Sequence, residues 1–415
     1  MDTIISGISQ LLTSRGDDGS AFYVFDSEAL EKNIADMLKA FRSRYRKFNI
    51  AYSYKTNYLK RICDIVKGMG CYAEVVSPSE LFYAKNGILN RPDRIVYNGV
   101  IPDINRVYEA GAGAKVNVDN LGEFIRMEKF ADLAGVKQEC RIPVGVRLNF
   151  DIGTGVVSRF GVDVDGSEFP LIMRAICESR RFRFGGFQCH IGCGRPVKYW
   201  GRKAHEMAFL ACKYDAEYID LGGGMYGPMQ ESLAKQFDEY AESYDEYAEA
   251  VCGEIVRIFP DQDIELIVEP GTALVGNTMS VVAQVTDIKT VRGQSYITVN
   301  CCSNQLGVIC DVKSIPAYVI PTGGDAVDVD NATIAGDTCL EFDYLKKGFT
   351  GRIAIGDKIV FSNVGAYSIS ASRQFIVPRL PVIDLKTGAT LRAQESEEDM
   401  FGTYMDEGNG ATMFG

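Results

Sequence analysis

The chain has no uninterrupted apolar run of about 18 residues, so no membrane-spanning helix is expected. Its start does not combine a basic segment, an apolar stretch and a small-residue cleavage site. A cytoplasmic protein with reduced thiols is therefore expected. Histidines number only two, His190 and His205, and none of the 12 cysteines forms a C-x-x-C pair, so no metal site is expected. Most of the cysteines are expected as small core residues. Basic residues are in deficit, 44 Lys and Arg against 55 Asp and Glu, and the net charge of −11 argues against a nucleic-acid surface. No G-x-G-x-x-G follows the first strand-like run, which disfavours an open, doubly wound nucleotide-binding sheet, the runner-up architecture.

What the chain does have is a repeated unit. From Asn49 to Gly271 a short apolar run ends at a polar or glycine residue and is followed by a segment of helical periodicity. The strand-like runs are Asn49–Tyr54, Tyr72–Val76, Arg94–Tyr97, Lys115–Val118, Val144–Asn149, Phe184–His190, Tyr218–Leu221 and Glu265–Val268. Helix candidates include Pro78–Asn86, Leu121–Ala134, Phe169–Ser179, Arg202–Lys213 and Phe237–Phe259. Eight such units in about 220 residues fit a (β/α)8 TIM-type barrel. After Gly271 the texture changes to strands broken by Gly, Pro and Asp turns: Val281–Val285, Tyr296–Asn300, Ala317–Ile320, Lys358–Phe361 and Gln374–Val377. The expected class is thus α/β, a barrel over 29–272 and a β-sandwich or β-barrel-like domain over 273–390. Residues 1–28, with Tyr23-Val24-Phe25, are expected to pair with the β domain, and 391–415 to form a flexible acidic tail.

Barrel enzymes carry their chemistry at the C-terminal ends of the strands. Those ends bear Lys55, Glu74 with Ser77, Asn98, Asp119, Arg147, His190, Gly222-Gly223-Gly224 and Glu269. A lysine at a strand end is ordinarily a snorkelling side chain, and a lone histidine or glutamate there is ordinarily structural. Their convergence on one mouth is harder to explain that way. Lys55 is suited to a Schiff base with an aldehyde cofactor. The triple glycine and Gly271 expose backbone N–H groups suited to a phosphate. A carboxylate such as Glu269, aimed at a heteroaromatic nitrogen, keeps it protonated and the ring electron-withdrawing.

In this order the motifs resemble the fold-type III pyridoxal-phosphate decarboxylases, with their alanine-racemase-like barrel and β domain; diaminopimelate, ornithine and carboxynorspermidine decarboxylases are members. The resemblance runs from about Tyr23 to Pro381 and implies pyridoxal 5′-phosphate as cofactor. It makes Tyr54-Lys55-Thr56-Asn57 the Schiff-base motif and Glu74-Val75-Val76-Ser77 with Glu80 the acidic element behind the cofactor. Arg147 would orient other groups, Ser158-Arg159-Phe160-Gly161 is similar to a basic-Phe-Gly signature, and His190 would stack on the ring. Gly222, Gly223 and Gly224, with Cys193, Gly271, Thr272 and Tyr367 of Gly365-Ala366-Tyr367, would hold the cofactor, and Glu269 would pair with its nitrogen. The segment Gly336 to Asp343 resembles one whose cysteine and aspartate enter a partner's site. The family therefore implies a homodimer with shared active sites, Cys339 as proton donor, and Asp311, Asp343 or Tyr367 against the substrate.

Three departures bear on substrate. Thr272 stands where diaminopimelate and ornithine enzymes usually carry arginine, Cys193 where a phosphate-binding serine is common, and Leu340 where an acidic residue often follows the cysteine. The expectation is a decarboxylase of a basic, diamino-type α-amino acid, a carboxynorspermidine, ornithine or lysine analogue. Diaminopimelate decarboxylation, racemisation on the same fold and a silent cofactor-binding homologue are the alternatives. Racemases of this type place arginine at the pyridine nitrogen, which Glu269 contradicts.

Overall fold

The computed structural model describes residues 2–101, 103–240 and 243–405. The chain divides into two compact units, Glu28–Asn277 and Met1–Ser27 with Thr278–Gly415.

The first unit is a closed parallel barrel. Its strands are β1 (Phe48–Ser53), β2 (Tyr72–Val75), β3 (Ile95–Tyr97), β4 (Lys115–Val118), β5 (Ile142–Asn149), β6 (Phe182–Gln188), β7 (Tyr218–Asp220) and β8 (Glu265–Val268). Leu266 pairs with Phe48 to close β8 onto β1. The strands are buried almost throughout, as expected when side chains fill the barrel on one face and helices cover the other. The covering helices are amphipathic. Val197–Lys213 turns Trp200, Ala204, Met207, Ala208 and Ala211 inward at three- and four-residue spacing. Ser77 accepts the Glu80 N–H at 3.2 Å while Glu80 takes the Val76 N–H at 2.7 Å, which starts the next helix directly after β2.

The second unit is a mixed nine-stranded sheet. Phe22–Phe25 pairs antiparallel with Met279–Val291 and parallel with Val382–Asp384. The helix Asp2–Arg15 lays Ile8 and Leu11 against Val24, Val282, Val360 and Ile383.

Several elements differ from expectation for identifiable reasons. The helix expected from Phe237 begins only at Tyr244, because a capping box between Ser243 and Glu246 fixes its start. Gln374–Val377 forms no strand, and Ile376 adopts a positive φ of 51°. The hairpin of Val327–Ala335 and Tyr344–Ile353 escaped notice because its largely exposed surface breaks the apolar alternation. Within the tail expected to be flexible, Thr390–Arg392 pairs with Val382–Asp384 and Glu397–Met405 is a helix; 406–415 lie outside the described residues. All 12 cysteines are free thiols, but only six are buried and five are exposed, fewer core thiols than expected.

Candidate active site

The chain leaves β1 through a single 3-10 turn, Tyr54–Thr56, held by the Tyr52 hydroxyl donating to the Asn57 carbonyl at 2.7 Å. This presents Lys55 half-buried, its Nζ 2.7 Å from Glu74 Oε2 and 3.2 Å from Ser53 Oγ. The Ser53 hydroxyl also donates to Glu74. Burial works to raise the Glu74 pKa, but the Lys55 charge and the bonds from Lys55, Ser53 and Asn98 outweigh it, leaving the carboxylate below its usual value. Nearby, burial raises Glu80 to about 7.

A second buried carboxyl, Glu269, ends β8. Asn98 Nδ2 donates both to Glu269 and, at 3.1 Å, to Glu74, and Gln188 Nε2 donates to Glu269 at 3.1 Å. Burial, then the neighbouring Asp220 and Glu74, push Glu269 well above its usual value. Asp220, also fully buried, is raised as well, again chiefly by burial; its Oδ1 accepts the Gly222 N–H at 2.9 Å.

His190 follows β6 and is locked by Gly223, whose N–H donates to Nδ1 at 2.9 Å. Arg147 Nη2 donates to the His190 carbonyl at 3.0 Å, Nη1 lies 3.6 Å from Asp119, and the guanidinium covers the Phe160 ring at 4.7 Å. Asp119 also accepts the Gly161 N–H at 2.9 Å, where φ is +83° and a Cβ would strike the Leu148 carbonyl at 2.8 Å.

In the glycine loop, Gly222 gives its N–H to Asp220 Oδ1 and Gly223 gives its own to His190 Nδ1. Gly224, at φ +105° with nothing within 4 Å of a would-be Cβ, is the loop glycine whose N–H has no bond among the described residues. Gly271 is required on packing grounds, since a Cβ there would lie 2.0 Å from Thr56 Oγ1. Thr272 opens the short helix Thr272–Val275, and Cys193 is exposed at a φ of 65°.

The remaining expected residues lie in the β domain. Asp311 and Cys339 are exposed and Tyr367 is half-buried, at a φ of 60°. Asp343 is buried, with Oδ1 taking the Ser303 N–H at 2.7 Å and Oδ2 the Thr338 hydroxyl at 2.6 Å. It braces the loop carrying Cys339 and is not a free carboxylate for a substrate ammonium.

Lys203 was not foreseen. It lies on the inner face of Val197–Lys213, 2% exposed, with Nζ 3.5 Å from the Trp200 ring centroid and no hydrogen bond or ion pair among the described residues. Burial lowers it to about 8 against the pull of Cys189, Glu269 and Asp220. Its signal was a lysine on the stripe set by Trp200 and Met207.

These residues fit pyridoxal phosphate on structural grounds: an accessible amine, a buried carboxyl for a ring nitrogen, and a glycine turn with an uncommitted N–H beyond His190. Comparison with known proteins agrees. Residues 31–276 match the family model described as pyridoxal-dependent decarboxylase, pyridoxal binding domain. The chain is 25% identical to the diaminopimelate decarboxylase of Methanothermobacter thermautotrophicus over 393 residues, covering 86% of this chain and 84% of that protein. It is 24% identical to the enzyme of that name from Methanocaldococcus jannaschii, over 92% and 90% of the two chains. The crystal structure of diaminopimelate decarboxylase from M. jannaschii superposes with a TM-score of 0.82 at 22% identity, covering 96% and 94%.

Proposed function

The chain belongs to the pyridoxal-dependent decarboxylase family, and from that premise we propose that it removes the α-carboxyl group of a diaminopimelate-type amino acid. The observation that carries this reading is the pairing of Lys55, half-buried against Glu74, with the buried Glu269 on one hydrogen-bonded floor. Pyridoxal phosphate, when bound, supplies a ring that takes up the electron pair left at Cα as CO2 departs.

The chain's own residues do the rest. Glu74 and Ser53 accept hydrogen bonds from Lys55 Nζ and hold the amine in place at the mouth, where it would serve as the nucleophile. Glu269 holds a proton it can give to a ring nitrogen, and Asn98 and Gln188 stabilise the carboxylate left behind. His190, neutral and fixed by Gly223, offers a flat face for stacking. Gly224 supplies an N–H to the phosphate. Cys339 of a second copy, on the loop braced by Asp343, returns a proton to Cα, which makes the working unit a homodimer.

Diaminopimelate takes precedence over the carboxynorspermidine, ornithine or lysine substrates expected from sequence, because the relatives named above carry that activity in their names. The basic substrates remain a second reading. It is favoured by Thr272, which offers no cation to a distal carboxylate. Racemisation is disfavoured by the carboxyl at position 269. CO2 release from diaminopimelate, lysine, ornithine, arginine and carboxynorspermidine tests the assignment. Diaminopimelate should give the highest kcat/KM; a higher value with a basic amino acid would transfer the assignment to the second reading.

A further inference from the structure

Resting on the decarboxylase reading above, we propose that Asn98 is a positioning residue. Held by a relay through Asn117 and Tyr218, it keeps Glu74 and Glu269 apart and sets how readily Glu269 releases its proton to the cofactor ring.

The hydrogen bonds give the relay a direction. Asn98 Nδ2 faces two carboxyl groups, at Glu74 and Glu269, so its amide nitrogen must point at them. Its Oδ1 therefore accepts from Asn117 Nδ2, at 2.8 Å. Asn117 Oδ1 then accepts the Tyr218 hydroxyl, at 2.6 Å. Tyr218 is buried, and burial pushes its phenol well above its usual pKa, so it remains a donor throughout the working range. A flip of either amide would set donor against donor at one end of the chain or leave a carboxyl unserved at the other.

The barrel register accommodates this relay. Asn117 on β4 pairs with Gly145 on β5, Gly145 with Gly186 on β6, and Gly186 with Tyr218 on β7. Tyr218 thus reaches across two strands, roughly 10 Å of sheet, to meet Asn117. Only glycines permit it. A Cβ at Gly186 would lie 2.7 Å from the Tyr218 ring, and one at Gly145 would lie 2.0 Å from Asn117 Oδ1 and 2.1 Å from the Tyr218 hydroxyl. At the far end, Arg106 clasps the Asn117 carbonyl at 3.0 Å and the Asn98 carbonyl at 2.6 Å, fixing both strand ends.

Asn98 is not alone around Glu269. Glu74 arrives from β2, Asp220 from β7, Gln188 from β6, Lys55 from the turn after β1, and Lys203 from the helix Val197–Lys213. Tyr218 itself feels Glu217, Glu265 and, at 5.8 Å over its ring, Lys115. Among these, Asn98 is the group that donates to both Glu74 and Glu269.

The test uses full-length protein carrying Asn98→Asp, Asn98→Ala or Tyr218→Phe. Three quantities are measured: pyridoxal-phosphate affinity of the apoprotein, the pH midpoint of the bound cofactor's visible absorption, and kcat separately from KM. Asn98→Asp adds a fourth carboxyl to Glu74, Asp220 and Glu269 and should shift the midpoint, weaken cofactor binding about tenfold or more and lower kcat more than KM. Tyr218→Phe should shift the midpoint in the same direction by less, while its fold survives. Should the Asn98 variants fail to fold, Tyr218→Phe decides alone. A midpoint and affinity unchanged from wild type in Tyr218→Phe, whatever its thermal stability, would overturn the proposal. Borohydride labelling of Lys55 in the wild-type protein is run alongside, and its absence would reject the underlying reading rather than the role of Asn98.

Discussion

The backbone N–H of Gly223 donates to Nδ1 of His190 at 2.9 Å, which leaves Nε2 as the nitrogen bearing the proton in the neutral ring. Burial first, then the charges of Lys55, Arg147 and Lys203, bring His190 down to about 3 from an ordinary 6.5. The unfolded chain therefore binds more protons than the folded one between about 3 and 6.5, and stability falls as pH drops through that window. In urea denaturation of the apoprotein, His190→Gln should flatten this acid limb. In the wild-type protein no His190-dependent step is expected near 6.5 in the pH dependence of kcat. An acid limb as steep in the variant as in wild type would show that the ring titrates normally.

Lys203 gives a prediction of the same sign at the other end of the scale. Its folded pKa of about 8 lies below the ordinary 10.5, so the unfolded state again holds the extra proton between those values. Stability contributed through this group therefore rises with pH from about 8 to 10.5, by up to roughly 3 kcal/mol. Lys203→Met should lose that rise, measured as the difference in unfolding free energy between pH 7.5 and 10. Equal differences in the two proteins would contradict a buried, charged lysine beneath Asp220 and Glu269.

Asp343 separates a brace from a substrate grip. Its carboxylate serves the Ser303 N–H, the Thr338 N–H and the Thr338 hydroxyl, so Asp343→Ala strands three donors and should cost about 2 kcal/mol of stability. Thermal melting should show the loss at once. A protein of unchanged melting temperature but greatly raised KM would return Asp343 to the substrate.

The shared-site homodimer is tested by mixing two inactive variants, Lys55→Ala and Cys339→Ala. If each site takes its lysine from one copy and its thiol from the other, re-equilibrated mixtures recover roughly a quarter of wild-type activity. No recovery, with subunit exchange demonstrated by mass, would place both groups in one chain.

Much of the site was legible because strand ends are. The barrel repeats one pattern, and each strand's last polar residue points to the mouth, so Lys55, Glu74, Asn98, Arg147, His190 and Glu269 could be read off in order. The relations between those ends were not legible. Asn98 gave no sign that it joins Glu74 to Glu269, because that depends on register across several strands. Gly145 and Gly186 carry no mark in the sequence of the Tyr218 side chain that lies against them. The glycine loop shows the same limit: composition shows three N–H groups, but only geometry shows that two of them bond to Asp220 and His190. Lys203 was visible in principle, falling three residues after Trp200 and four before Met207 on an inward stripe.

The central claim, that Lys55 is the covalent anchor of pyridoxal phosphate, is tested most directly by borohydride reduction of the cofactor-loaded protein followed by peptide mass mapping. The account predicts a single reduced pyridoxyl adduct on the peptide containing Tyr54-Lys55-Thr56, absent from Lys55→Ala. An adduct on another lysine, Lys203 included, or no adduct from a protein that binds the cofactor, would contradict it.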